Sequence, residues 1–178
     1  LDGLVDFAPA PVDLAPWKGI RDGAEVTCER KADAQLAAIV VKNKVESHGR
    51  VSIVRVVSGA LKPDSHVVCA KTGERERVGQ LFGGIGRDQK ALTHAMAGEF
   101  VVVPKLKTAR AGETLCDEKA QVVLTLPEPP VPLFSRAVQA AQKTADEKAS
   151  QTLHILEEED PGLRVTLDPA SHQLVLSG

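Results

Sequence analysis

Tyrosine is absent, and the chain holds one tryptophan and four phenylalanines in 178 residues. Core volume must therefore come from Val, Leu, Ile and Ala. Long apolar runs are missing too. No stretch reaches the ~18–20 residues that a bilayer-spanning helix needs, so no membrane partner is expected. The opening Leu1-Asp2-Gly3-Leu4-Val5-Asp6 has no basic n-region and no signal-peptide pattern. Three cysteines, Cys28, Cys69 and Cys116, are an odd number, 41 and 47 residues apart. That spacing makes neither a disulfide framework nor a zinc site, and reads as reduced thiols in a cytoplasmic protein. A large charge imbalance is also lacking. The 22 basic and 24 acidic residues leave a net charge of −2. This argues against a free-standing non-specific nucleic-acid binder, though a local basic patch remains open. With 43% hydrophobic and 26% charged residues, the chain has globular composition and length for one or two domains.

The pattern changes along the chain. Residues 1–18 are rich in Pro and Ala, and Pro9, Pro11 and Pro16 disfavour a regular helix or central strand. They read as an extended connector. Residues 35–125 look all-β. Within residues 49–58, Val51, Ile53 and Arg55 fall on one face and Val54 and Val56 on the other. Further strands are expected at 36–41, 66–70, 76–82, 99–104, 113–116 and 121–126, with a turn at Lys62-Pro63-Asp64-Ser65 and a loop opening at Gly83-Gly84-Ile85-Gly86. Short strands at this spacing predict a closed barrel or sandwich. Four prolines within residues 127–132 make a stiff linker. Beyond it come a strand at 133–138, a helix at 143–159 with Ala149, Leu153, Ile155 and Leu156 on its apolar stripe, and a hairpin around Asp168-Pro169-Ala170-Ser171. Strand, helix, strand, strand is the first part of a ferredoxin-like unit. Starting at Leu and stopping mid-architecture, the chain is expected to be a fragment.

Little here resembles catalysis. Gly83-Gly84-Ile85-Gly86 lacks a following Gly-Lys-Ser/Thr and an apolar helix, so it reads as a turn and no nucleotide site is expected. His154 shares a helix face with Glu157 and Glu158, but no further His or Cys lies near to complete a metal site. The acidic run Glu157-Glu158-Glu159-Asp160 sits at a helix C-terminus, where the dipole disfavours it, and is expected to be a solvated face. His48, His66, His94 and His172 are lone histidines, and no activated nucleophile stands out. Basic residues are more informative. Arg50, Arg55, Lys62, Lys71, Arg75, Arg77, Arg87 and Lys90 all lie in the β region, several at turns, and loops of small barrels bind RNA through such residues. Glu74 and Glu76 are interleaved with them.

Seven strings, in order, carry a resemblance. Residues 49–62 (GRVSIVRVVSGALK) look like the second-domain signature of translational GTPases. Residues 75–81 (RERVGQL), 97–103 (AGEFVVV) and 112–117 (GETLCD) fit the same domain. Residues 126–131 (LPEPPV), 156–161 (LEEEDP) and 175–178 (VLSG) are similar to a third domain. Together they resemble elongation factor G and its elongation factor G-like relatives.

That resemblance implies a mainly β plus α+β fold: a translation-factor β-barrel, then an incomplete ferredoxin-like βαββ unit. It divides the chain into a connector with the tail of a missing G domain (1–20), the barrel (21–125), the Pro-rich linker (126–132) and a partial third domain (133–178). GTP and Mg would belong to the full-length GTPase, and no cofactor to this fragment, which is expected to catalyse nothing. Expected partners are small-subunit rRNA of the ribosome and the protein's own G and distal domains. In isolation the fragment is expected to be monomeric. Arg50, Lys71, Arg75 and Arg77 are the candidate rRNA contacts. Pro127, Glu128 and Pro129 match the neighbourhood of the family's drug pocket at the third-domain boundary. Two alternatives remain: a stand-alone RNA-binding barrel, which would show exposed stacking aromatics beyond Phe82 and Phe100, and an enzyme subunit with a similar barrel, which would carry a bound cofactor.

Overall fold

The computed structural model describes residues 2–46, 49–85, 88–128, 130–140 and 146–178. After a short helix α1 (Asp2–Phe7), a hairpin forms from β1 (Trp17–Arg21) and β2 (Ala24–Cys28). Two long strands follow, β3 (Ala37–Glu46) and β4 (Gly49–Ser58), then β5 (Ala60–Leu61), β6 (His66–Cys69) and β7 (Arg75–Arg77). The run continues with β8 (Leu81–Ile85), β9 (Asp88–Leu92), β10 (Ala95–Met96), β11 (Phe100–Pro104), β12 (Thr114–Cys116) and β13 (Val123–Leu124). The last part comprises β14 (Ser135–Val138), α2 (Asp146–Glu159), β15 (Arg164–Leu167) and β16 (Leu174–Ser177).

An antiparallel sheet in the order β7-β6-β12-β3-β4-β11-β8-β9 curls round one core. Its inner face supplies Ala38, Val40, Val54, Val56, Val101, Val103 and Leu115. On the outer face, Ala37, Ile39, Val57 and Cys116 meet Cys28, Val122 and Leu124. Strand β3 is thus covered on both sides, which is why residues 36–40 read as an unbroken apolar run rather than an alternating one. The cover is a small sheet, β13-β1-β2.

Two local features shape the barrel. A bulge in β3 between Val40 and Lys42 leaves Val41 exposed and turns Asn43 inward. Asn43 donates to the Ala109 carbonyl at 3.0 Å and accepts from the Ser52 hydroxyl at 2.7 Å, so the buried amide is satisfied. Gly59 joins β4 to β5 at φ +73°, where a Cβ would lie 2.7 Å from the Ala34 carbonyl oxygen and 2.8 Å from the Leu36 backbone.

The C-terminal sheet runs β14-β16-β15, with the last strand in the middle and every pair antiparallel. That is the split βαβ arrangement. Leu153 of α2 and Val165 of β15 are its buried contacts.

Several expectations need correction. The extended connector gives way at Trp17 to β1, and an exposed helix precedes it. The strand expected at 76–82 is two strands, β7 and β8, broken at residues 78–80, where the Val78 N–H donates to the Ser65 carbonyl. Gly83 to Ile85 do not open a loop but pair with β9, because a flat Gly-Gly stretch accepts the Leu92 side chain across it. The start of the helix expected at 143 lies outside the described residues, as do His48, Gly86, Arg87 and Pro129.

Candidate functional site

The β6–β7 hairpin presents three of the four candidate cations. Alternation along β7 turns Arg75 and Arg77 outward and Glu76 inward. Arg75 pairs with Glu118, and Arg77 with Asp64 at 3.2 Å. Both guanidinium side chains keep about 70% of their surface exposed, so these pairs are weak and exchangeable. Lys71 lies in the exposed turn between the strands, which Gly73 closes with its N–H on the Cys69 carbonyl at 2.8 Å.

Glu76 holds this hairpin to the rest of the barrel. The residue is 2% exposed. Oε1 accepts from the Thr108 N–H, the Thr108 hydroxyl and the Ala109 N–H, and Oε2 from the Lys107 N–H. Burial pushes the carboxyl up, but the Thr108 and Lys107 amides, the Thr108 hydroxyl and the Ala109 amide together bring it below its ordinary value. The sequence disguised this residue as one more member of a mixed surface charge cluster.

Arg50 is placed differently. Its side chain is 21% exposed, with Nη1 on the Lys107 carbonyl at 3.0 Å and Nη2 on Glu158 at 2.5 Å. The acidic run of α2 is therefore not a solvated face. Glu158 meets Arg50, Glu159 accepts the Val45 N–H at 2.8 Å, and Glu157 accepts the Val165 N–H at 3.1 Å. These contacts offset the unfavourable helix dipole that the sequence alone pointed to. The Glu158 and Glu159 contacts also seat the C-terminal unit on the β3–β4 hairpin.

A second group of cations sits on aromatic rings. Arg30 and Arg55 lie 5.3 and 5.6 Å from the Trp17 ring centre, and Arg55 lies 5.4 Å from Phe100. The Trp17 indole N–H donates to the Thr125 carbonyl at 3.1 Å.

Other candidates stay apart from any chemistry. His154 meets Glu157 at 3.2 Å, and no group of three potential metal ligands occurs among the described residues. The three thiols are buried and form no disulfide, and burial raises each of them. Pro127 and Glu128 are exposed in a segment without regular structure. A cleft of about 480 Å³ at Pro63, Asp64, Gln80 and Leu92 does not include them. Gly83 cannot cradle a phosphate, because the space a Cβ would fill is already taken by Leu92 at 2.9 Å. We expect Gly83→Ala to lower stability by about 1 kcal/mol in a urea titration, through strand and Leu92 repacking.

Comparison with known proteins agrees with the two-part architecture. A family model described as elongation factor G domain 2 matches residues 35–118, and one described as elongation factor G, domain III matches residues 129–178. The chain is similar to elongation factor G 2 of Streptomyces coelicolor, at 39% identity over 180 residues, covering all of this chain and 26% of that protein. A solved chain from Thermus thermophilus superposes with a TM-score of 0.74 at 23% identity, covering 99% of this chain and 24% of that one. At that identity the likeness speaks for fold alone.

Proposed function

Because the chain belongs to the elongation factor G family, we propose that it is the ribosome-docking and relay segment of a cytoplasmic translational GTPase. GTP and Mg are handled elsewhere in the full protein, by a G domain against which the barrel packs. The barrel touches small-subunit rRNA through Lys71, Arg75 and Arg77, and the C-terminal unit passes movement between the barrel and distal domains. The observation that carries the docking reading is the register of β7. It aims two arginines at solvent beside Lys71 while burying the carboxylate between them. Seating of α2 on the β3–β4 hairpin supports the relay.

Phosphate contacts of this kind release counterions, so each lost cation flattens the salt dependence. Replacing Lys71, Arg75 and Arg77 together by alanine is expected to weaken binding to small ribosomal subunits about ten-fold or more at low salt, and to reduce the log–log salt slope by about three. Equal binding by the triple variant, or binding by the parent chain that ignores salt, overturns the assignment.

A further inference from the structure

The basic end of the β3–β4 hairpin is covered by an acidic helix end. In the ladder, Lys44 lies opposite Val51 and Val45 opposite Arg50. The Lys105 N–H donates to the Arg50 carbonyl at 2.8 Å, and Arg50 itself reaches the Lys107 carbonyl. Three chain segments thus bring Lys44, Arg50, Lys105 and Lys107 to one end of the barrel. Against this end sits the last turn of α2, which holds Glu157, Glu158 and Glu159 and no basic residue. Asp160 and the carbonyl end of the helix add to its negative character.

We propose that this end of the barrel is an RNA-phosphate site that α2 occupies in the present arrangement, so that Arg50 pairs either with Glu158 or with an RNA phosphate. The inference rests on the docking reading above and extends it to regulation: RNA engagement at the hairpin and seating of α2 exclude each other. The chemistry is direct. A guanidinium N–H donates to a carboxylate and to a phosphodiester oxygen alike, and Arg50 gives Nη2 to Glu158 here while Nη1 stays on the Lys107 carbonyl. The Arg50–Glu158 pair retains 21% and 31% side-chain exposure, so a competing anion can reach it. An RNA strand spanning several of these cations gains counterion release that the intramolecular carboxylates do not. The acidic run then has a reason to stand where the helix dipole disfavours it. It neutralises the site until RNA displaces it, and displacement frees the C-terminal unit to move.

The test uses the whole chain, small ribosomal subunits and a short RNA duplex, over a salt series. E158Q keeps the shape of the cover and removes its charge. It is expected to tighten RNA binding about two- to five-fold. R50A should weaken binding, and R50A/E158Q should bind no better than R50A. A distance-label pair at Lys148 on α2 and Gln89 on β9 should lengthen when RNA binds. If E158Q binds RNA no more tightly while its circular dichroism melt matches the parent, the exclusion is wrong. An unchanged label distance in the RNA-bound chain also overturns it. If E158Q has no effect and the Lys71/Arg75/Arg77 triple variant loses binding, the docking reading stands and the exclusion alone falls. If neither parent nor any variant binds, the docking reading itself fails and takes the exclusion with it.

Discussion

Replacing Glu76 by alanine will cost the fold about 3–5 kcal/mol. Three amides, of which the Ala109 N–H is the buried one, lose their acceptor at roughly 1–3 kcal/mol each, and entering water restores part of that at Lys107 and Thr108. Urea unfolding, followed through the midpoint at constant slope, reads the change. E76Q is a sharper probe. Its carbonyl still serves Thr108 and Ala109, but its NH2 group faces the Lys107 N–H, donor against donor. The pH dependence has a definite sign. The folded Glu76 carboxyl lies below its ordinary value. Its contribution is therefore complete above the ordinary glutamate range and disappears as pH falls through the lowered folded value. E76Q should remove that part of the acid limb of stability. An acid limb identical in E76Q and the parent would show that the 107–109 loop is held by something else.

The second large effect is expected at Gly59. An alanine there must adopt φ near +73° and place its Cβ 2.7–2.8 Å from backbone atoms of Ala34 and Leu36. Backbone cannot swing aside as a side chain can. The left-handed conformation and the overpacking each cost about 1–3 kcal/mol, so a total of about 3 kcal/mol or more is expected. For about 3 kcal/mol, the melting temperature of Gly59→Ala should fall by about 6–12 °C if the chain melts as one unit of 150–250 residues, and by about 12–24 °C if the barrel melts as a smaller one. A melt within two or three degrees of the parent would mean that the 31–36 segment can draw back from Gly59 without loss, although the Gly59 N–H holds the Lys31 carbonyl at 2.8 Å.

What the sequence made legible follows from period. Strand β4 alternates in burial from Val51 to Val56, and the apolar residues of the β15–β16 hairpin alternate in sequence on both sides of an Asp-Pro turn. Over Val51–Val56 local pattern and tertiary burial agree, whereas Leu167 is exposed and β16 is half-buried along its whole length. Strand β1 was hidden because prolines precede it and its core contribution is a glycine and a tryptophan edge. Its one strong signal was Asp22-Gly23, two residues with φ of 51° and 81° that suit a tight hairpin turn. Strand β8 was hidden by its glycines. Arg50 and Glu158 lie 108 residues apart, and no local pattern announces such a pair. Glu76 was hidden by its arginine neighbours, although the strict alternation of a strand should have sent it the opposite way from them.

The ring of Trp17 carries one more consequence, an optical one. With one tryptophan and no tyrosine in the chain, near-ultraviolet emission has a single source. That source is pinned between arginines and the Thr125 carbonyl, on the cover of the barrel. Emission therefore follows the peeling of β1 from β13 and is blind to α2. Far-ultraviolet dichroism near the helical bands weights α2 instead, because α1 and α2 are the α-helices among the described residues and α1 has six residues. One sample heated once thus yields two separate melting records. A gap between them is the undocking of one unit while the other still stands.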